Sequence, residues 1–241
     1  MKHYTTLFID LDNTLYDFTG NSREAYSAVY ELLGYDRWFE DFEHYYAIYE
    51  EYNLQLWALY AEGKITKEYL NAERYAHPLR VLGIPDADAI GARFWHEAMQ
   101  RLPLGKRLMP YAREVLEYLN PRYKMYILSN GFSELQSRKM QSAGIAHYFD
   151  GMILSEDVGV NKPNPAIFEY ALRVADTTPE KVLMIGDNLE ADIEGAHRIG
   201  IDQVFYNVEQ SSLDRRQPIF GDGRCHPTYV IDSLLELKGI L

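Results

Sequence analysis

Short apolar runs alternate with longer amphipathic stretches along the 241 residues of the chain. Each run has the length of a strand and is rich in β-branched or aromatic residues, as are strands buried on both faces of a sheet. The runs cover residues 4–10, 124–130, 151–155, 181–187, 203–207 and 228–232. Helical patterns lie between them, opening at Pro110 and Pro165, with Gly144 and Gly200 at expected helix ends. This alternation predicts an α/β fold, a parallel sheet with helices on both faces.

Residues 17–104 differ from the rest because they contain no strand-like run. Turns rich in glycine and proline divide this stretch into predicted helices at about 22–33, 37–62, 66–82 and 86–101. A helical block inserted after the first strand of a parallel-sheet domain predicts a cap over the carboxyl edge of the sheet, where open α/β sheets bind ligands. Residues 209–227 predict a surface loop.

Charge and cysteine content restrict the possible partners. The chain carries 24 Lys and Arg against 36 Asp and Glu, a net charge of −12, which disfavours binding to a nucleic-acid polymer. Its single cysteine, Cys225, excludes an intramolecular disulfide and a cysteine metal cluster. We expect a cytoplasmic protein with no membrane partner, because the first residues do not resemble a signal peptide and no apolar run could cross a bilayer. The oligomeric state is not indicated.

Two acids follow the first predicted strand, in the sequence DLDNTL at residues 10–15. Asp10 and Asp12 are two residues apart, so in an extended segment both lie on one side and can reach one ligand. An Asx turn or a helix cap is the other explanation of acids after a strand.

A second acid pair follows the strand at 181–187. Asp187 lies at the strand end, and Asp192 falls about one turn into the next helix. Carboxylates from two strand ends can share a hard cation, which prefers oxygen ligands. A helix N-cap also explains Asp187 and is compatible with a metal role.

Two further strand ends carry polar groups. Ser129 and Asn130 precede a glycine, and a small hydroxyl with an adjacent backbone amide can hold phosphate oxygens. Lys162 precedes Pro163 and a predicted helix. Lysine side chains are usually solvated at the surface. Because Lys162 stands next to a proline and before a helix, its backbone is rigid, which favours an ammonium group held at a fixed position.

The order of these strand ends resembles the four motifs of the haloacid dehalogenase superfamily of hydrolases. That order is an acid pair, then Ser-Asn, then Lys-Pro, then Gly-Asp. The resemblance covers essentially the whole chain. It implies a Rossmann-like, doubly wound parallel sheet formed by residues 1–16 and 105–241, with residues 17–104 as an inserted α-helical cap domain.

The resemblance and the residue types together imply a Mg²⁺-dependent phosphatase. Asp10 would attack phosphorus and form an aspartyl-phosphate, and Asp12 would act as general acid and then general base. Lys162 would offset charge at the phosphoryl group, which Ser129 and Asn130 would also contact. The predicted metal residues are Asp10, Asp12 through its backbone carbonyl, Asp187, and Asp192 through the metal's water shell.

Asp12 also favours a phosphatase over the metal-free dehalogenases, since that branch does not keep an acid at this position. Local features at residues 13–18, 53–57 and 63–66 are similar to bacterial nucleotidases that act on pyrimidine nucleoside monophosphates. Tyr16 and Asn13 depart from that pattern, where tryptophan and histidine are common. The predicted substrate is therefore a small phosphorylated metabolite, a nucleoside 5'-monophosphate.

Several alternatives stay open. One is a sugar-phosphate phosphatase or mutase of the same superfamily, and another is a 2-haloacid dehalogenase. A non-catalytic binding protein would be favoured if the acids were missing, and none is. A phosphonate-cleaving enzyme would need a lysine in the cap, where Lys64 and Lys67 flank a turn.

Aromatic residues are frequent in the predicted cap. Packing between helices is the first explanation for each, although a ring can also stack on a base for about 1–3 kcal/mol. The aromatics concerned are Trp38, Tyr45, Tyr46, Tyr49, Tyr52, Trp57, Tyr60 and Tyr69.

Overall fold

The computed structural model describes residues 3–207 and 226–241. In that part, six parallel strands form one sheet in the order β3-β2-β1-β4-β5-β6. The strands are β1 (Thr6–Ile9), β2 (Lys124–Ser129), β3 (Gly151–Leu154), β4 (Val182–Gly186), β5 (Asp202–Tyr206) and β6 (Tyr229–Ile231). The predicted α/β fold with a parallel sheet is confirmed. The surface loop predicted at 209–227 lies almost entirely outside the described residues.

Alternate residues of the central strand enter two hydrophobic cores. Leu7 and Ile9 belong to one cluster of buried side chains, and Phe8 belongs to another. The neighbouring β4 divides in the same way, with Leu183 on the first face and Met184 on the second. Because side chains alternate across a strand, the sheet is covered on both faces, which explains why its strands are continuous apolar runs.

Four long helices follow β1 before the chain returns to the sheet. They are α1 (Phe18–Leu32), α2 (Phe42–Ala61), α3 (Lys67–Val81) and α4 (Ala87–Arg101), with 3-10 turns at Tyr35–Arg37 and Leu102–Leu104. The prediction placed the second helix at 37–62, but it begins at Phe42 because Asp41 caps it: the Asp41 side chain accepts from the backbone N–H of His44 at 2.8 Å. Thr66 caps α3 in the same way, accepting from the N–H of Tyr69.

The remaining helices alternate with the later strands. They are α5 (Ala112–Leu119), α6 (Ser133–Ser142), α7 (Ser155–Val158), α8 (Pro165–Val174), α9 (Gly195–His197) and α10 (Leu237–Ile240). A π-helix at Leu189–Glu194 leads into α9, and 3-10 turns lie at Ala146–Tyr148, Pro179–Lys181 and Leu234–Glu236. Pro165 opens α8 as predicted, whereas α5 begins two residues after Pro110.

The chain divides into two compact units. One is Thr19–Gly105, and the other contains the sheet and comprises residues 1–18 and 106–241. The roles assigned to these parts from the sequence, a catalytic core at 1–16 and 105–241 and a cap at 17–104, stay predictions. Within the described ranges, no helix has both the length and the apolar character needed to cross a membrane.

The helical unit is packed with aromatic rings. Tyr26 contacts Tyr49 at 5.1 Å between ring centroids, and Tyr75 stacks on Phe94 at 5.4 Å. The hydroxyls of Tyr49, Tyr26 and Tyr75 form a chain of hydrogen bonds of 3.1 and 3.2 Å. These contacts favour packing as the role of three of the aromatics noted from the sequence. They are Tyr45, Tyr46 and Tyr49, all buried against neighbouring rings.

Candidate active site

The carboxyl ends of three adjacent strands bring the predicted residues together. Asp10 follows β1, Ser129 ends β2 and Asp187 follows β4. Because β1 lies between β2 and β4 and all three are parallel, these ends meet at one edge of the sheet. The backbone N–H of Asp10 donates to Ile185 of β4 at 2.9 Å, so sheet pairing itself holds Asp10 in place.

Lys162 is buried between two of the predicted acids. Its side chain is 2% exposed, and Nζ donates to Asp10 Oδ1 at 2.6 Å and to Asp192 Oδ1 at 2.6 Å. A third hydrogen bond, 2.7 Å long, goes to the backbone carbonyl of Leu128 in β2. Burial by itself lowers the pKa of Lys162, but the two carboxylates outweigh it and raise the pKa above its usual value. Lys162 is therefore a fixed positive charge, not a solvated one.

Asn130 holds the backbone of Lys162. Its Nδ2 donates to the carbonyl of Lys162 at 3.0 Å, and its Oδ1 accepts from the N–H of Lys162 at 2.8 Å. This pair ties the segment before α8 to the end of β2. The side-chain amide of Asn130 is thus engaged by Lys162, and the predicted phosphate contact rests on the backbone amide.

Asp192 lies in the π-helix, and the absence of a side chain at Gly186 leaves room for its carboxylate. The carboxylate is 1% exposed, and Oδ2 accepts from the backbone N–H of Asn188 at 3.1 Å. The side chain of Asn188 caps the π-helix by accepting from the N–H groups of its first turn. A Cβ at Gly186 would lie 2.2 Å from Asp192 Oδ2, so this strand end accepts only glycine while the carboxylate stays in place.

Three carboxylates converge in a way that suits a divalent cation. Oxygens of Asp10, Asp187 and Asp192 all lie within 4.8 Å of one another, and Thr14 Oγ1 donates to Asp187 Oδ1 at 2.8 Å. A set of carboxylate oxygens is the chemistry that Mg²⁺ prefers. The residues present therefore fit the predicted cofactor.

The electrostatics of the three carboxylates agree with that fit. Burial raises the pKa of Asp10 well above its usual value, and the charges of Asp192 and Asp187 add to the effect against the opposing Lys162. Burial, followed by the charge of Asp192, raises the pKa of Asp187 to about 7. The buried Asp10 and Asp192 and the half-buried Asp187, with one lysine between them, leave an excess of negative charge that a cation would neutralise.

Asp12 stands apart from this group. Its carboxylate accepts from Lys139 Nζ at 2.9 and 3.0 Å and from Gln136 Nε2 at 3.0 Å. The carboxylates that could share a cation, among the described residues, do not include that of Asp12. Its predicted metal contact is through the backbone carbonyl, and it stays a prediction.

Ser129 is buried, and its Oγ accepts two hydrogen bonds. Gln136 Nε2 donates at 2.7 Å and the N–H of Gly131 at 3.1 Å. A hydroxyl that accepts twice still has its own proton to donate, which suits a phosphoryl oxygen. Gly131 permits the contact, because a Cβ there would lie 2.0 Å from Gln136 Nε2.

Sequence reasoning missed Thr14, Gln136 and Lys139 as contributors to the site. A signal for two of them exists in α6, where Gln136 and Lys139 are three residues apart and so share one helix face. The same helix buries Leu135 and Met140. A lysine and a glutamine between buried apolar positions need polar partners, and those partners could have been sought at the strand ends.

The chain matches a family model and several named relatives along most of its length. The family model described as haloacid dehalogenase-like hydrolase matches residues 4–200. The pyrimidine 5'-nucleotidase YjjG of Escherichia coli is 34% identical over 98% of this chain and 96% of its own length. The ribulose-1,5-bisphosphate 5-phosphatase of Halopiger xanaduensis is 31% identical over 98% of this chain and 99% of its own.

A solved structure also matches over the full length. The HAD-hydrolase YfnB from Bacillus subtilis, solved with bound magnesium, superposes with a TM-score of 0.82 at 30% identity. The match covers 100% of this chain and 99% of that one.

Proposed function

The chain belongs to the haloacid dehalogenase-like hydrolases and is a phosphatase, and from this premise we propose that it uses Mg²⁺ to hydrolyse phosphate monoesters of small metabolites. The reaction passes through an aspartyl-phosphate on Asp10, and the substrates are nucleoside 5'-monophosphates. The resemblance inferred from the four motifs is confirmed at the level of the family. The observation that carries the proposal is the contact of the buried Lys162 with Asp10, beside two further carboxylates.

Asp10 is suited to be the nucleophile. Lys162 binds Oδ1, which fixes the carboxylate in one orientation and leaves its second oxygen to attack phosphorus. Attack breaks the bond between phosphorus and the ester oxygen and forms an acyl phosphate on Asp10. Water then attacks phosphorus, restores the carboxylate and releases inorganic phosphate.

Asp10, Asp187 and the backbone carbonyl of Asp12 would hold Mg²⁺, and Asp192 would support its water shell. The ion would neutralise the charge of the phosphoryl oxygens. The remaining positive charge comes from the chain itself. Lys162 compensates the phosphoryl group as charge moves onto the leaving oxygen. The hydroxyl of Ser129 and the backbone amide of Asn130 bind the phosphoryl oxygens, and Ser129 is held for this by Gln136.

Proton transfer falls to Asp12, since its side chain is outside the group of three carboxylates and partly exposed. It protonates the ester oxygen as that oxygen leaves. It then accepts a proton from the water that hydrolyses the acyl phosphate. The two aspartates of the motif thus have different environments and different roles.

The substrate class rests on the similarity of residues 13–18, 53–57 and 63–66 to the nucleotidases and on the relative named a pyrimidine 5'-nucleotidase. The relative named a ribulose-1,5-bisphosphate 5-phosphatase favours sugar phosphates as the second candidate. A small phosphorylated metabolite is common to both. We propose a cytoplasmic enzyme that needs neither a nucleic-acid polymer nor a membrane.

The test is release of phosphate from a panel of nucleoside 5'-monophosphates and sugar phosphates, with and without Mg²⁺. We expect release to require Mg²⁺, to be fastest on the nucleotides and to be lost in Asp10→Asn. Asp176→Asn, which changes an exposed carboxylate after α8, serves as the matched control and should keep the wild-type rate.

Other outcomes separate the alternatives. Faster release from sugar phosphates would remove the nucleotide assignment and leave the chemistry, and isomerisation of a sugar phosphate without release would indicate a mutase. Halide release from 2-haloacids in the absence of phosphate release would replace the phosphatase by a dehalogenase. No turnover on any substrate would favour a binding protein.

A further inference from the structure

A buried lysine outside the four motifs binds the proton-transfer residue. Lys139 of α6 is 2% exposed, and its Nζ donates to both carboxylate oxygens of Asp12, at 2.9 and 3.0 Å. The two residues are 127 positions apart in the chain. Burying an ammonium group is costly unless it is paired. The contact with Asp12 therefore offsets the free-energy cost of burying the ammonium group of Lys139.

Aromatic rings enclose the same ammonium group. Nζ lies 4.4 Å from the centroid of Phe18 and 5.6 Å from that of Tyr16, both within range of a cation–π contact. The rings exclude water from one side of Lys139 and attract its charge. Lys139 consequently has little freedom to move away from Asp12.

Gln136 links Asp12 to the phosphate-binding hydroxyl. Its Nε2 donates to Asp12 Oδ2 at 3.0 Å and to Ser129 Oγ at 2.7 Å, and the side chain is fully buried. One amide group thus sets the distance between the proton-transfer group and a group that binds the phosphoryl oxygens. General acid catalysis needs such a fixed distance, since the proton must reach the ester oxygen of a bound substrate.

Two buried lysines divide the acids of the site between them. Lys162 binds Asp10 and Asp192, whereas Lys139 binds Asp12. Each lysine holds its carboxylates from a different element, the segment before α8 and the face of α6. The division keeps the side chain of Asp12 out of the group that suits a cation.

From this geometry we propose that Lys139 and Gln136 are positioning residues for proton transfer by Asp12, an inference that rests on the proposed phosphatase function. Lys139 fixes the carboxylate in one rotamer by binding both oxygens, and Gln136 aligns it with Ser129. The proton moves from Asp12 to the leaving oxygen, and Lys139 donates hydrogen bonds without transferring a proton.

The first test varies the leaving group. Lys139→Met keeps the length of the side chain against Phe18 and Tyr16 but removes the charge. Protonation matters most for a poor leaving group, so we expect kcat/KM to fall at least about tenfold more on an alkyl phosphate than on 4-nitrophenyl phosphate. Arg138→Met, an exposed neighbour on the same helix, is the control and should change neither value.

The second test is a double-mutant cycle with Asp12→Asn. If Lys139 acts through Asp12, adding Lys139→Met to Asp12→Asn should lower turnover by less than about twofold. Lys139→Arg, which can still bind both oxygens, should recover part of the alkyl phosphate rate. Gln136→Met should likewise lower kcat/KM more on the alkyl phosphate than on 4-nitrophenyl phosphate. It should also raise KM, because Ser129 loses its donor. If Lys139→Met does not fold, the Gln136→Met result tests the proposal in its place.

The results distinguish the two levels of the proposal. An equal loss on both substrates, or a full additional loss in the Asp12→Asn background, would make Lys139 a purely structural residue and overturn the inference. So would a Lys139→Met enzyme that matches the wild type on both substrates. Absence of phosphatase activity in the wild-type protein would instead reject the proposed function itself.

Discussion

Gly186→Ala tests whether the close approach of β4 to Asp192 controls the site. The added Cβ would lie 2.2 Å from Oδ2, 2.4 Å from Cγ and 2.6 Å from Cβ of Asp192. Non-bonded carbon atoms in contact lie about 3.5–4.0 Å apart, so the carboxylate must move by roughly 1 Å or more. Asp192 is buried and packed, and this movement breaks its hydrogen bonds to Lys162 and to the N–H of Asn188.

The magnitude follows from those two contacts. A hydrogen bond to a charged group contributes about 1.5–3 kcal/mol, and breaking a buried ion pair costs about 3–5 kcal/mol. Part of this is recovered if the carboxylate finds another position, so we expect the free energy of unfolding to fall by about 3 kcal/mol. For a chain of this size the corresponding fall in Tm is roughly 6–12 °C.

The assay combines thermal unfolding with titration of Mg²⁺. Gly186→Ala should lower Tm and weaken Mg²⁺ binding together, because the displaced carboxylate belongs to both networks. Gly239→Ala is the matched control: its added Cβ meets nothing within 4 Å, and it lies inside α10, so its Tm should stay the same or rise slightly. A Gly186→Ala protein with wild-type Tm and Mg²⁺ affinity would refute the reasoning.

Three further substitutions test other parts of the structure. Asp10→Asn should abolish turnover in a phosphate-release assay. It should change Tm by no more than a few degrees, because the amide oxygen can still accept from Lys162, whose charge stays paired with Asp192. Activity above a few per cent of wild type would exclude Asp10 as the nucleophile. Asp187→Asn should weaken Mg²⁺ binding by tenfold or more in a calorimetric titration, and an unchanged titration would exclude it as a ligand. Phe94→Ala, at the centre of the tyrosine cluster, should destabilise the protein by about 3–5 kcal/mol in urea unfolding. A loss below 1 kcal/mol would show that the cluster repacks.

Local patterns were sufficient for the strands and for the residues at their ends. Each strand is an apolar run, and a parallel sheet requires such runs because both of its faces are buried. Asp10 and Asp187 directly follow such runs, and Ser129 ends one. The carboxyl ends of parallel strands lie at one edge of a sheet, so the predicted sheet also indicated that these three residues lie near one another. The start of α2 was placed too early because the capping role of Asp41 depends on the backbone conformation around it.

Long-range polar pairing was not accessible from local patterns. Lys139 and Gln136 look like ordinary helix residues in the sequence, and only the packing of α6 against the sheet brings them to Asp12. In the same way, the sequence did not indicate that the side chain of Asn130 binds the backbone of Lys162, a contact that only the tertiary structure shows. Nothing in the spacing of these residues predicts such contacts, since they join segments separated by 32 to 127 positions.

The amino-acid order alone was therefore enough for the parallel sheet, because its buried strands appear as apolar runs, and for the family, because four short motifs follow strands in a fixed order along the chain. Which lysine binds which acid was decided by the tertiary structure. Lys162 and Lys139 are both buried cations, and each could in principle have paired with any carboxylate of the site. Each buried lysine must pair with a carboxylate, because burying an unpaired charge is too costly. The position of α6 brings Lys139 to Asp12, and the position of the segment before α8 brings Lys162 to Asp10 and Asp192.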